Sequence, residues 1–250
     1  MMKSIDEYRD FLKDDLRKVI DFSQTDQRRG VEPPPIEKPY DPEASLLELP
    51  QRKDWETIDD TGLITAIAAR KSVRRFKDES LSLEELAFLL WATQGITQRV
   101  NQATARRTVP SAGSRHAFET YLRVAEVDSL EPGVYRYLPL EHALLFEHSI
   151  EDSSARLDRA TLNQRFIASA PVTFIWTTIP YRMEWRYDRA AHRVILMDAG
   201  HVCQNLYLAC QAIDAGTCAV AAFDQDRMDD FVKVDGEDEF VVYLAPVGKV

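Results

Sequence analysis

The chain has 250 residues, 45% of them hydrophobic and 29% charged. That is the make-up of a globular protein with a sizeable core, and no stretch approaches the roughly 18 apolar residues that a membrane span needs. With 31 basic and 41 acidic residues the net charge is −10, which disfavours nucleic acid and anionic lipid as partners over most of the surface.

From the N-terminus, Ser4 to about Phe22 reads as an amphipathic helix entered through a Ser4–Glu7 capping box, with Ile5, Tyr8, Leu12, Leu16 and Val19 on one stripe. The segment is charged and lacks the apolar run of a secretory signal, so a cytoplasmic protein is expected. From Gln24 to Leu49 the composition shifts to Pro, Glu, Asp and Lys, with Pro33 to Pro35 consecutive, which predicts an extended wrapping arm or linker. Residues 1–57 are therefore set apart as an N-terminal helix and Pro-rich arm, and residues 58–250 as the main domain. Helical patterns follow at Asp59 to Arg70 and at Leu81 to Thr93, the second with a Ser82–Glu85 capping box and a stop near Gly95.

Asn101 to Arg115 is polar and turn-rich, and Phe118 to Val127, Val134 to Leu138 and Ala143 to Glu147 then spell an antiparallel meander. Asp158 to Ser169 reads as helix and Pro171 to Thr178 as strand. Asp188 to Ala215, closed by Gly216, reads as one helix of roughly 40 Å that serves as a domain spine or a dimer interface. The chain ends in strand (Thr217 to Phe223), capped helix (Asp224 to Val232) and strand (Glu239 to Val247). Elements that neither alternate regularly nor segregate favour an α+β layer structure.

Nine singly scattered glycines leave no glycine-rich dinucleotide turn, Walker loop or nucleophile elbow, and no close-spaced histidine pair offers a metal site. Cys203, Cys210 and Cys218, seven and eight residues apart, match no zinc spacing and read as buried thiols. His201, inside the long helix, reads as a buried histidine. Against the acidic background, Arg70, Lys71, Arg74 and Arg75 place four cations in six positions around Ser72. Guanidinium forks and a hydroxyl are the parts of a side-chain phosphate cradle, and the same cations also suit a solvated helix end.

Arg70-Lys71-Ser72-Val73-Arg74-Arg75-Phe76 resembles the R-x-S-x-R-x-F opening of the FMN-dependent nitroreductase superfamily. Pro110-Ser111-Ala112-Gly113-Ser114-Arg115-His116 and the following Phe118-Glu119-Thr120-Tyr121 are similar to the P-S-A-G-x-x-H-P-x-E-x-Y segment of its azoline-dehydrogenase-like (SagB/ThcOx-type) branch. Further pieces agree in order: Pro132 to Tyr137, Asp198 to His201 with Gln204 to Leu206, Gly216 to Phe223, and Pro246 to Gly248. The resemblance covers about Ile58 to Val250 and implies a three-layer α+β fold with a central, mainly antiparallel sheet flanked by helices.

What it implies for the site can be set on residues. Arg70, Lys71 and Ser72 would hold the FMN phosphate, and Arg74 would reach the pyrimidine edge, where a cation stabilises the reduced flavin. Ala221 and Ala222 would offer a backbone N–H to flavin N5. Pro110, Ser111, Ala112, Gly113 and Ser114 would come from the partner subunit of a homodimer. His116 is open between facing flavin and being a structural histidine.

The azoline-oxidising relatives carry a Lys-Tyr pair before the long helix, where this chain has Arg186-Tyr187. Arginine keeps its proton, so proton abstraction is weakened, while the Tyr187 hydroxyl can still donate or accept; a tyrosine simply packed at the helix entry is the other reading. Trp185 is placed to line the substrate side. The expected activity is FMN-dependent hydride transfer from NAD(P)H or an organic donor to a nitroaromatic, quinone or similar electrophile. An azoline-type dehydrogenase acting on a modified peptide, or a flavin-binding module without turnover, are the alternatives.

Overall fold

The computed structural model describes residues 4–250; Met1–Lys3 lie outside the described residues. In chain order the helices are α1 (Ile5–Phe11), α2 (Leu63–Ala69), α3 (Leu83–Gln94), α4 (Ser153–Ala160), α5 (Arg165–Ala168), α6 (Tyr181–Tyr187), α7 (Ala191–Ala209) and α8 (Gln225–Val232). The strands are β1 (Leu46–Glu48), β2 (Ile96–Asn101), β3 (Thr104–Arg107), β4 (Phe118–Val124), β5 (Gly133–Leu138), β6 (Ala143–His148), β7 (Val172–Thr178), β8 (Ala215–Thr217) and β9 (Phe240–Lys249).

Seven strands form one sheet in the order β1-β6-β5-β4-β7-β9-β8, with every neighbouring pair antiparallel. Because side chains alternate across a pleated strand, each central strand feeds two cores. Phe118, Leu122, Phe174, Trp176, Ala245 and Val247 point to the layer that contains α3 and α7. Tyr121, Ile175, Val241 and Leu244 point to the opposite layer, with Leu157 of α4, Ile167 of α5 and Phe231 of α8. The result is the expected three-layer α+β arrangement. α7 is its spine, burying Ile195, Ala199, Val202, Cys203 and Leu206 against α3 and β9.

Several boundaries differ from expectation, each for a local reason. α1 begins with the Ser4–Glu7 capping box but stops at Phe11, and the chain continues as 3₁₀ turns at Asp15–Lys18 and Phe22–Gln24. Its stripe is uncovered, with Ile5, Leu12 and Val19 each about 70% exposed, so no tertiary contact extends the helix. The long helix starts at Ala191 because Asp188 takes φ +49°, which separates it from α6; at 19 residues it spans roughly 28 Å. It also ends before Gly216, which lies in β8. The helix expected over Asp158 to Ser169 is split into α4 and α5 by Leu162 and Asn163, both at positive φ. The polar stretch after Gly95 holds a β2–β3 hairpin with two register shifts.

The arm does wrap. Its main-chain carbonyls accept from buried arginines: Ile36 O from Arg107 at 3.0 Å, Lys38 O from Arg136 at 2.8 Å and Pro34 O from Arg115 at 3.5 Å. The Lys38 ammonium lies 2.6 Å from Glu239, and the Lys38 backbone N–H donates to Glu119 at 2.8 Å. Glu119 is also ion-paired with Arg182 and, at 3.8 Å, with Arg136. Buried Glu119, Glu239, Arg136 and Arg182 each thus have a charged partner, as desolvation requires.

Candidate active site

The basic turn is held by its apolar residues. α2 ends at Ala69, and from Arg70 (ψ 125°) the chain runs extended alongside β8, the Val73 N–H donating to Thr217 O at 2.9 Å. Gly216 makes this approach feasible, since a Cβ there would stand 2.7 Å from Val73 Cγ2. Lys71, Arg74 and Arg75 therefore stand on extended chain beyond the helix and are exposed. Among the described residues, none of Arg70, Lys71, Arg74 and Arg75 is ion-paired with a carboxylate. Arg70 instead lies over the Tyr207 ring at 5.3 Å and Arg74 over the Phe166 ring at 5.8 Å. Lys249, by contrast, pairs with Glu85 and donates to Ile213 O at 2.8 Å.

Tyr207, buried on α7, organises this half of the site. Its hydroxyl lies 2.9 Å from Ser72 Oγ and accepts from the Ala219 N–H at 2.9 Å. Ala219 leads to Val220, which is paired in both directions with Leu244 at 2.8 and 3.1 Å. Ala221 and Ala222 follow, exposed, and among the described residues their N–H groups donate no hydrogen bond; Ala222 O accepts from Gln164 at 2.8 Å. Two open donors and four cations that, among the described residues, meet no carboxylate suit a group that carries an anion at one end and an acceptor atom at the other. A phosphate-bearing flavin fits that description.

Pro110 to Ser114 belongs to a second cluster. The Ala112 N–H donates to the buried Asp198 carboxylate of α7 at 3.3 Å, and Ser111 Oγ accepts from the His116 N–H at 3.0 Å. Burial pushes the Asp198 carboxyl up, while hydrogen bonds from Ser111 and Ala112 pull the other way. Gly113 has φ +60°, followed by Ser114 at +53° and His116 at +47°. A Cβ on Gly113 would stand 2.7 Å from Tyr187 Oη and 3.0 Å from Arg186 Nε, so the loop rests directly on that pair. The Arg186 guanidinium lies over the Tyr187 ring at 5.4 Å.

The His116 side chain is buried beside Arg107 and Arg115; burial first, then those charges, push its pKa down to about 3, so the ring is neutral. It bonds to the Ala105 backbone and anchors the loop. Trp185 is buried rather than lining an open side, with its N–H donating to Val31 O at 3.0 Å and Arg115 stacked on it at 4.8 Å. His201 is half exposed, 3.8 Å from Asp198, because this turn of α7 faces outward. The three thiols are buried as expected; burial pushes Cys203 up to about 12 and Cys210 further, so neither is a nucleophile. Among the described residues no group of His, Cys, Asp and Glu could hold a metal, and no helix is long and apolar enough to cross a membrane.

The structure therefore joins Arg70, Ser72, Tyr207, Ala221 and Ala222 in one cluster and Pro110 to Ser114, His116, Arg186, Tyr187 and Asp198 in another. Asp198 stands in a matched motif piece without a role assigned to it, and Tyr207, just beyond that piece, carries no sequence signal of its own in the apolar run of α7.

Comparison with known proteins identifies the family and the fold. Residues 67–249 match the Nitroreductase family. The nitroreductase-like protein MJ1384 of Methanocaldococcus jannaschii is 33% identical over 192 residues, covering 77% of this chain and 93% of its own. The trifolitoxin-processing protein TfxB of Rhizobium leguminosarum bv. trifolii is 33% identical over 141 residues, which span 53% of this chain and 38% of TfxB; this agrees with the azoline-dehydrogenase-like branch. A nitroreductase-type crystal structure from Ralstonia eutropha JMP134 superposes with a TM-score of 0.68 at 23% identity, covering 88% of this chain and 94% of the other, and so shares the fold. The chain belongs to the nitroreductase family and is an oxidoreductase of that family.

Proposed function

We propose that this protein is an FMN-dependent oxidoreductase that passes hydride from a reduced nicotinamide to a small electrophile such as a nitroaromatic or quinone, working as a homodimer with two shared sites. The observation that carries the reading is the row of four cations, Arg70 to Arg75, which among the described residues have no carboxylate partner, linked through Ser72 and Tyr207 to Ala219, two residues before the open N–H of Ala221. FMN, when bound, supplies the chemistry of hydride acceptance and donation at its N5 atom. Arg70, Lys71 and Ser72 hold the phosphate, Arg74 faces the pyrimidine edge, and the backbone at Ala221 and Ala222 donates toward N5. Tyr187 is placed to exchange a proton with a ligand through its hydroxyl, while Arg186 stays charged and orients a negative group.

The homodimer rests on the geometry of α7. Asp198 and Tyr207 are nine residues apart, roughly 14 Å along the axis and about 180° around it. The two clusters they hold face opposite sides of one helix, which fits each cluster serving a different cofactor, completed by a second copy. Exposed apolar side chains on α2 (Leu63, Ile64 and Ile67) and α7 (Leu196 and Met197) supply a surface for that copy.

The test is an absorbance spectrum of the purified protein, alone, after added FMN, and after anaerobic NADPH or NADH. Flavin bands that bleach with either nucleotide are the expected result; a colourless protein that refuses FMN overturns the reading. Arg74→Ala should weaken FMN binding or slow flavin reduction. The likeness to TfxB favours a second reading, an azoline-type dehydrogenase acting on a modified peptide, against which Arg186 stands in place of a lysine. Bleaching by a heterocycle-containing peptide and by neither nucleotide would select it.

A further inference from the structure

Arg186 and Tyr187 have a second neighbour besides the Pro110–Ser114 loop. Between α6 and the N-terminal arm lies a cleft of about 160 Å³, whose walls include Arg17, Phe22, Gln27, Arg28, Arg186 and Tyr187. Three guanidinium groups and two aromatic rings thus converge on a small volume in a chain of net charge −10.

The charges there are not balanced from within. Arg17 is paired with Asp14 at 2.7 Å and lies over the Phe22 ring at 5.7 Å. Arg28 and Arg186, among the described residues, pair with no carboxylate. The acids nearby are taken: Asp14 also meets Arg193 at 2.9 Å, Asp26 accepts from Tyr181 at 2.9 Å, and Glu184 lies 2.6 Å from His192. Behind the cleft, Arg115 is held below its ordinary value by burial and then by Arg186 and Arg182, a sign of uncompensated positive charge. The walls are fixed to each other, since the Gln27 N–H donates to Trp185 O at 2.8 Å. The arm residues of this cleft all precede residue 67, where the family match begins.

We propose that the cleft is an oxyanion subsite, which takes the carboxylate or phosphate head of a ligand whose reacting portion extends over the Pro110–Ser114 loop. Arg28 and Arg186 supply forked donors for the oxygens, and Phe22 and Tyr187 supply faces for a planar group. A volume well below the roughly 300–1,000 Å³ of a whole-ligand site suits a head group and at most one ring. What lies beyond the loop rests on the flavin reading; binding of the head group does not.

The experiment is calorimetric titration without reductant, with and without FMN, using 4-nitrobenzoate against 4-nitrobenzamide and NADPH against NADH. The expected result is a preference of about tenfold for the anionic member of at least one pair, weakened by salt and lost in Arg28→Gln and in Arg186→Gln. A preference confined to nitrobenzoate assigns the head group to the acceptor, and one confined to NADPH assigns it to the donor phosphate. Arg28 is exposed, so Arg28→Gln should melt with the wild type, and a matched midpoint ties any loss of binding to the cleft. Equal affinity within both pairs, or a preference that survives both substitutions, overturns the proposal. A chain that refuses FMN yet still discriminates nitrobenzoate would sink the flavin reading and leave the subsite standing.

Discussion

The hydroxyl of Ser72 lies 2.9 Å from that of Tyr207, 135 positions further along the chain. Through this contact the outermost loop of the basic turn is registered on the central helix, and the same tyrosine oxygen receives the Ala219 N–H. Tyr207→Phe keeps the ring under Arg70 but strands the Ala219 N–H. The expected outcome is a stability loss of about 1–3 kcal/mol, with FMN affinity reduced about tenfold, read from thermal melts and from flavin fluorescence quenching.

Gly113 is the point at which the Pro110–Ser114 loop meets Arg186 and Tyr187. At φ +60° an alanine carries a backbone penalty of about 1–2 kcal/mol, and its Cβ would press on Tyr187 Oη. Gly113→Ala should lower the melting temperature and slow turnover by displacing the Arg186–Tyr187 pair. Gly200→Ala is the control, because a Cβ there meets nothing within 4 Å; it should do neither.

Glu37 is buried on the arm, and its carboxylate accepts from the Leu140 N–H at 3.1 Å. Burial, with Glu141 and Glu119 nearby, pushes its pKa up to about 8. An unfolded glutamate ionises near 4.5, so between those values the folded state holds the extra proton and stability falls as pH rises through the window. Glu37→Gln keeps an acceptor for Leu140 and removes this loss. The variant should be more stable than wild type by about 1–3 kcal/mol at pH 8 and equal to it near pH 4.5, as measured by denaturant melts.

Ile64 is 86% exposed on α2. If α2 packs against a second copy, Ile64→Glu buries a charge at that interface and should shift the protein to monomer in light scattering, with FMN affinity falling in parallel. An unchanged mass would place the interface elsewhere.

The sequence carried the layers and the meander plainly, because Phe118 to Val124 and Val172 to Thr178 are β-rich runs with turn residues between them. The Ser82–Glu85 box and Gly95 likewise marked both ends of α3. β2 escaped notice because Thr97, Gln98, Arg99 and Asn101 are exposed and polar, and the pairing is irregular. At the site, the arginines stood out against an acidic background, whereas Tyr207 and Asp198 sit in an apolar helical run where periodicity reads them as packing. Only the third dimension reveals that one hydroxyl and one carboxylate of α7 each clasp a loop. The meeting of Arg28 with Arg186 was equally hidden, since it depends on where an irregular arm comes to rest.

The arm reaches Arg107, Arg115 and Arg136 through peptide carbonyls, which every amino acid possesses. Its anchoring therefore does not read the side chains that point away from the sheet, and the prolines among them have no amide proton to leave unsatisfied. Substitution of Phe22 or Arg28, which lie outside this stretch, leaves these three carbonyl bonds in place. The bonds that hold the ribbon and the side chains that line the cleft thus belong to different residues, so one set can be altered without touching the other.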